Sequence, residues 1–230
     1  MQRLECALIG VLFGAIPIII CFLAGWWISI TLVPESRIFL YALVGLLVGV
    51  FFDGIFLKAW IRNAYAMKPV VWMAVYLFYS IGMFGFFMGV PVFNVALALP
   101  AGFFVGGWLA HSGADYARMK KAARYSALFT TSVLSLVCVA SAAIALASPS
   151  TASDLQRMLS LPVRVTRAMI IGLILGGGSF LLALQWWLTL RSVDWFYGHF
   201  SSRAGRRPGE MRGVTPRARR RPQGNGVAPR

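Results

Sequence analysis

Acidic residues are nearly missing from this chain: seven in 230, against 22 lysines and arginines. Charge of either sign is scarce, at 13% of residues where a soluble domain carries about 25%. So little charge excludes a disordered chain, which needs high charge and low hydrophobicity. Combined with 59% apolar residues and a mean hydropathy of +0.73, it excludes an ordinary soluble globular domain as well. Cysteine is rare too. Cys6, Cys21 and Cys138 are odd in number and scattered, which leaves neither a disulfide framework nor a metal-binding CxxC spacing. The two histidines, His111 and His199, fall outside every apolar run. Catalysis within a membrane needs paired acids, a nucleophile beside a base, or a motif such as HExxH. None of these occurs, nor does a Walker loop or dinucleotide fingerprint. A non-enzymatic protein with no cofactor and no metal is the expectation.

What the chain does have is long stretches without charge. Residues 6–34, 69–110, 125–153 and 168–190 carry none, and residues 38–57 carry only Asp53. A spanning helix needs about 20 apolar residues. The 42-residue stretch 69–110 is too long for one crossing, since it would reach about 63 Å as a single helix. It must fold back, and Gly89-Val90-Pro91 at its midpoint is the signal for the break. The reading is an all-α, polytopic membrane protein. A compact six-helix domain occupies residues 1–202, with spans near 8–31, 38–60, 70–88, 92–110, 125–147 and 168–190. Pro17 is expected to kink the first helix.

The basic residues set an orientation. With six spans, all but four of the 22 lysines and arginines fall on the side of the termini. The positive-inside rule then places both termini in the cytoplasm, with the cell (plasma) membrane as the expected location. Trp26 and Trp27 would mark the outer interface, and Trp60, Trp72, Trp108 and Trp195 the inner one. The connection from Ser112 reads as a basic helical extension, with Arg118, Lys120, Lys121 and Arg124 against lipid headgroups. Ser153-Asp154-Leu155-Gln156 resembles a capping box opening a short amphipathic turn through Leu159, which Pro162 separates from the last span. Residues 203–230 hold nine arginines and one glutamate, and read as a disordered cytoplasmic tail. Its partner by charge is anionic lipid rather than nucleic acid, because the tail is tethered to the membrane.

Glycine recurs at four-residue spacing in Gly10/Gly14, Gly45/Gly49, Gly85/Gly89, Gly102/Gly106 and Gly172/Gly176, the pattern that lets helix backbones approach closely. Three successive glycines, 176–178, invite a local unwinding such as lines some transport sites. Asp53 is the one acid inside a span. It continues the Gly45–Gly49 face at i+8, so its carboxyl belongs to a helix contact rather than to lipid. Either it binds a proton, ion or substrate, or it serves packing through a hydrogen bond or an ion pair with Lys58 or Arg62. Tyr76, Tyr79, Ser80, Ser179 and Gln185 are its candidate companions, while Asn94 sits too near the outer end to join them. Two functions fit. One is a small permease or transporter subunit with Asp53 as an ion, proton or substrate contact. The other is a scaffold or assembly subunit that packs against a partner membrane protein or a second copy of itself.

Overall fold

A computed structural model describes residues 3–149, 151–158 and 166–204. Among them every regular element is helical: α1 (Arg3–Leu32), α2 (Glu35–Asn63), α3 (Pro69–Phe86), α4 (Ala98–His111), α5 (Tyr116–Ala147), α6 (Thr151–Met158) and α7 (Arg167–Ala204). Short 3-10 segments cover Ala64–Ala66 and Pro91–Leu97. Six segments are long and apolar enough to cross a membrane, and they coincide with the six expected spans. Of the expected disordered tail 203–230, Arg203 and Ala204 are the helical end of α7, while residues 205–230, with Leu159 and Pro162, lie outside the described residues.

The boundaries follow local chemistry. Pro34 and Pro69 stand at the starts of α2 and α3, where a missing amide hydrogen costs nothing. The break inside the long apolar stretch falls where Gly89-Val90-Pro91 predicts it. The Gly89 amide donates to the Phe84 carbonyl (2.8 Å) and the Met88 amide to Gly85 (3.2 Å), which closes a Schellman turn. Met88 and Gly89 both take positive φ, 52° and 82°. Gly89 is therefore a turn glycine and does not pair with Gly85 in a helix contact. At the other end of α4 the turn repeats. Gly113 (φ 64°) caps the helix, and the Asp115 side chain accepts from the Arg118 amide at 3.1 Å to start α5. The basic stretch from Tyr116 is thus continuous with the fifth span.

Several boundaries differ from the sequence reading. α7 continues for 14 residues beyond the expected end at 190, because Val193, Phe196, Tyr197 and Phe200 form an apolar face that packs on α4 and its neighbours. It also runs unbroken through Gly176–Gly178, so the expected unwinding is absent: the i→i−4 ladder is continuous there. α6 begins at Thr151, two residues before the supposed capping box. Residues 91–97 form a 3-10 segment instead of the first turns of α4. Trp72 is a core residue and not an interfacial marker: it is buried, stacked on Phe104, and its indole N–H donates to the Ala64 carbonyl.

The helices alternate in direction and pack as two units. α1 and α2 form an antiparallel hairpin, while α4, α5 and α7 form a trio. The segment Pro91–His111, which holds α4, lies innermost, with 56% of its apolar stretch buried against 11–22% for the other five segments. The two units meet at the end that carries Lys58, Lys68 and Lys121, called here the basic end. There Ile9 and Phe13 of α1 join Trp72, Phe103, Phe104 and Phe200 in one cluster.

Glycines set both close contacts. A β-carbon at Gly49 would lie 2.6 Å from the Ile18 Cα, and one at Gly45 would collide with the Cys21 carbonyl. At Gly106 it would meet the Tyr197 amide nitrogen at 2.8 Å, and at Gly102 it would collide with Ser192. Among the described residues nothing lies within 4 Å of a β-carbon at Gly172 or Gly176. α7 at that level is two helical turns before its polar contacts with α3 and α5 begin, at Gln185.

Candidate functional site

Asp53 sits in the hairpin seam. Its Oδ2 lies 3.1 Å from where a Gly14 β-carbon would be, so Gly14 makes the room that the carboxyl occupies. Its Oδ1 is buried without a hydrogen-bond partner. Neither Lys58 nor Arg62 forms an ion pair with it; among the described residues the one ion pair is His111–Glu5, at 3.9 Å.

The expected companions are distributed elsewhere. Tyr79 donates to the Leu12 carbonyl at 2.7 Å and ties α3 to α1. Tyr76 accepts from Gln185 Nε2 at 3.1 Å, which joins α3 to α7. Ser80 is reached by Asn94, whose Nδ2 donates to the Ser80 carbonyl (2.9 Å) and Oγ (2.8 Å). Asn94 therefore does join this group, because the tight turn before it folds the 3-10 segment back along α3. Ser179 makes no such link among the described residues.

These contacts extend into a neutral polar seam along the trio. Gln185, Thr189 and Ser192 recur at i, i+4 and i+7, on one face of α7. Thr189 and Thr130 share a hydrogen bond of 3.0 Å, and Ser192 donates to the Ala98 carbonyl at 3.0 Å. Gln185 and Thr189 are fully buried. Thr130, Thr189 and Ser192 went unnoticed in the sequence because a hydroxyl amid apolar residues reads as neutral filler. The i, i+4, i+7 spacing on α7 was the available signal.

A cavity of about 420 Å³ opens beside this seam, between α3, α4 and α5. Its wall is mostly apolar and rich in aromatic rings, with Trp72, Tyr76, Tyr79, Phe104, Trp108, Tyr125 and Phe129. Asp53 takes no part in it. Along α5 the lining runs from Ala122 to Thr130. Tyr125 also borders a neighbouring hollow bounded by Lys120, Lys121, Arg124, Leu128 and Trp186. Of the four basic residues expected at headgroups, Lys120, Lys121 and Arg124 gather there. Lys120 lies over the Tyr116 ring at 4.7 Å, while Arg118 takes part through its backbone in the Asp115 cap.

A second feature escaped the sequence. Glu5 is buried at the basic end, 3.9 Å from His111. The His111 ring stacks on Tyr65 at 4.7 Å and its Nδ1 lies 2.8 Å from the Gly107 carbonyl. Glu5 precedes the first apolar run, and its burial depends on distant segments, among them the His111 end of the fourth helix. No three His, Cys, Asp or Glu cluster as metal ligands among the described residues.

Fold and cavity together define an all-helical bundle of six apolar segments with a laterally placed aromatic pocket. Comparison with family models, curated proteins and solved structures returns no match to this chain.

Proposed function

We propose that this chain is a non-enzymatic integral membrane protein with six spans, a small permease or transporter subunit whose substrate contact is the α3–α4–α5 cavity. The observation that carries the reading is the cavity itself. Its size falls within the usual range for small-molecule sites, about 300–1,000 Å³, and its wall is apolar with few polar groups. The basic residues of the inner loops support cytoplasmic termini in the plasma membrane. Asp53 becomes the lesser candidate, since it faces Gly14 rather than the cavity. The test is reconstitution into liposomes with a panel of fluorescent apolar and amphipathic solutes. Protein-dependent flux that Ala101→Phe abolishes, with the fold retained, supports the reading. Flux equal to that of empty liposomes across the panel sinks it.

One observation favours the scaffold reading as an alternative. Gly172 and Gly176 offer a small-residue face on α7 that no described residue approaches within 4 Å. A partner subunit or a second copy would pack there. Proximity cross-linking from a cysteine at Leu175 in native membranes tests it, and a purely monomeric product counts against it.

A further inference from the structure

The cavity reading leaves the substrate class open, and the chemistry of the wall and rim narrows it. Five hydroxyls line the wall. Those of Tyr79, Tyr76 and Thr130 are engaged within the protein, and those of Tyr125 and Ser126 lie toward the basic end, so the deeper wall offers little to a polar ligand. Tyr79 donates to Leu12, Tyr76 accepts from Gln185, and Thr130 is bonded to Thr189. A sugar-like or amide-rich ligand would find few free partners there, whereas an alkyl chain asks for none. The lining on α5 from Ala122 to Thr130 spans about 12 Å, most of the roughly 15 Å hydrocarbon depth of one leaflet.

The rim has the opposite character. At the basic end, Lys68 stands between Met67 and Pro69, both of which line the cavity. On α5, Lys121 and Arg124 adjoin Ala122 and Tyr125, which also line it. All three cations are exposed, and no carboxylate lies within ion-pair distance of them among the described residues. Tyr125 belongs to both the aromatic cavity and the basic hollow, so the two are continuous around one side chain.

We infer that the cavity holds one acyl chain of an anionic membrane lipid, with the lipid's phosphate resting on Lys121 and Arg124 beside Tyr125. This rests on the cavity-based reading above and names its ligand class, an anionic glycerophospholipid drawn from the leaflet at the basic end. The chain alone gives little selectivity, because lipid tails are as apolar as the wall. Headgroup charge therefore decides which lipid is held. Each nearby cation adds a comparable increment, so the pair confers a preference of roughly 10- to 30-fold for an anionic headgroup.

The experiment uses the full chain, delipidated in detergent and titrated with phosphatidylglycerol or phosphatidylcholine of matched chains, with bound lipid counted by native mass spectrometry. One phosphatidylglycerol per protein, favoured about tenfold or more over phosphatidylcholine, is expected. The double variant Lys121→Gln/Arg124→Gln should lose that preference without losing its fold, since both residues are exposed. Ala101→Phe and Ser126→Phe, from two different walls, should each lose both lipids. Folding of each variant is checked by size exclusion and circular dichroism. Equal retention of the two lipids by the unmodified protein overturns the proposal. So does undiminished phosphatidylglycerol binding in a folded cavity-filling variant, because it would put the lipid on the basic surface alone. If both cavity variants fail to fold, the loss of preference in the double variant decides. Selective lipid binding with no solute flux would remove the transport reading and leave this one standing. Flux blocked by Ala101→Phe without lipid selectivity would do the reverse.

Discussion

The α1–α2 hairpin and the α4–α5–α7 trio solve the same packing problem with different polar chemistry. Both bring backbones together over glycines, Gly45 and Gly49 in one, Gly102 and Gly106 in the other. The trio then buries neutral groups in pairs, Thr130 with Thr189 and Ser192 with the Ala98 carbonyl. The hairpin holds a half-buried carboxyl whose buried Oδ1 has no partner. Neutral donors and acceptors pair across two helices, although the trio too leaves Gln185 Oε1 and Thr131 Oγ1 buried without a partner. The two units therefore differ in the charge of the unpaired group rather than in its presence. The unpaired group in the hairpin is an acid, which costs more to leave without a partner than a neutral amide or hydroxyl does. The hairpin is also joined to the rest mainly near the basic end, through Ile9, Phe13 and the Tyr79–Leu12 hydrogen bond. The difference predicts two stability domains in one bundle.

Overpacking breaks the comparison most severely. Leucine at Gly106 would drive a side chain into the α7 backbone, and leucine at Gly45 into the carbonyl of Cys21. Each should cost about 1–3 kcal/mol or more. Gly106→Leu should abolish the folded bundle. Gly45→Leu should expose the hairpin to hydrogen exchange while α4, α5 and α7 keep their protection. Uniform loss of protection in both variants would show one cooperative unit and refute the division.

The uncovered glycines of α7 should respond in the opposite direction. Alanine at Gly172 and Gly176 meets nothing within 4 Å, and alanine is better than glycine inside a helix by about 0.5–1 kcal/mol per position. The double variant should therefore raise the melting temperature of the detergent-solubilised monomer. A lower melting temperature, or a smaller species on size exclusion than the unmodified protein gives, would show that this face is covered by another subunit.

Removing one neutral pair is a finer probe. Thr189→Val deletes the hydrogen bond to Thr130, which keeps a second acceptor in the Ala127 carbonyl. Membrane helix hydrogen bonds average about 0.6 kcal/mol, and a loss near that value is expected in an unfolding titration. A loss several times larger would mean that the seam acts as a coupled network through Gln185 and Ser192.

Much of this arrangement could be read from residue order. Charge spacing located six segments, and Gly89-Pro91 located the fold-back, because both depend on local chemistry. Asp53 was correctly placed on the glycine face of α2 for the same reason. Other features depend on which helices meet. Arg191 and Asp194 look like the end of the last helix, yet Val193, Tyr197 and Phe200 carry it onward by packing against distant segments. Gly25 was missed: its β-carbon would lie 2.5 Å from the Tyr41 carbonyl, yet it belongs to no GxxxG pair. The α1 face runs 14, 18, 21, 25, alternating four and three, as an antiparallel seam of near-heptad period requires. The companions expected for Asp53 share its depth but lie on helices that do not meet its face, and which helices meet is not written in the spacing within each one.

Asp53 itself offers the smallest and most diagnostic effect. Asparagine has nearly the same shape and cannot ionise. In the seam it would still leave one polar atom without a partner, so the gain from removing a buried acid is partly offset. A change of a few tenths of a kcal/mol, neutral to stabilising, is the expected result in a thermal melt. Solute flux and lipid retention should both persist, because the cavity lining does not include this residue. If Asp53→Asn keeps its melting temperature but abolishes flux, an ion or proton must be handled in the hairpin seam. The working site would then lie between α1 and α2, and the partnerless carboxyl would be the mechanistic centre of the protein rather than a tolerated cost of close packing.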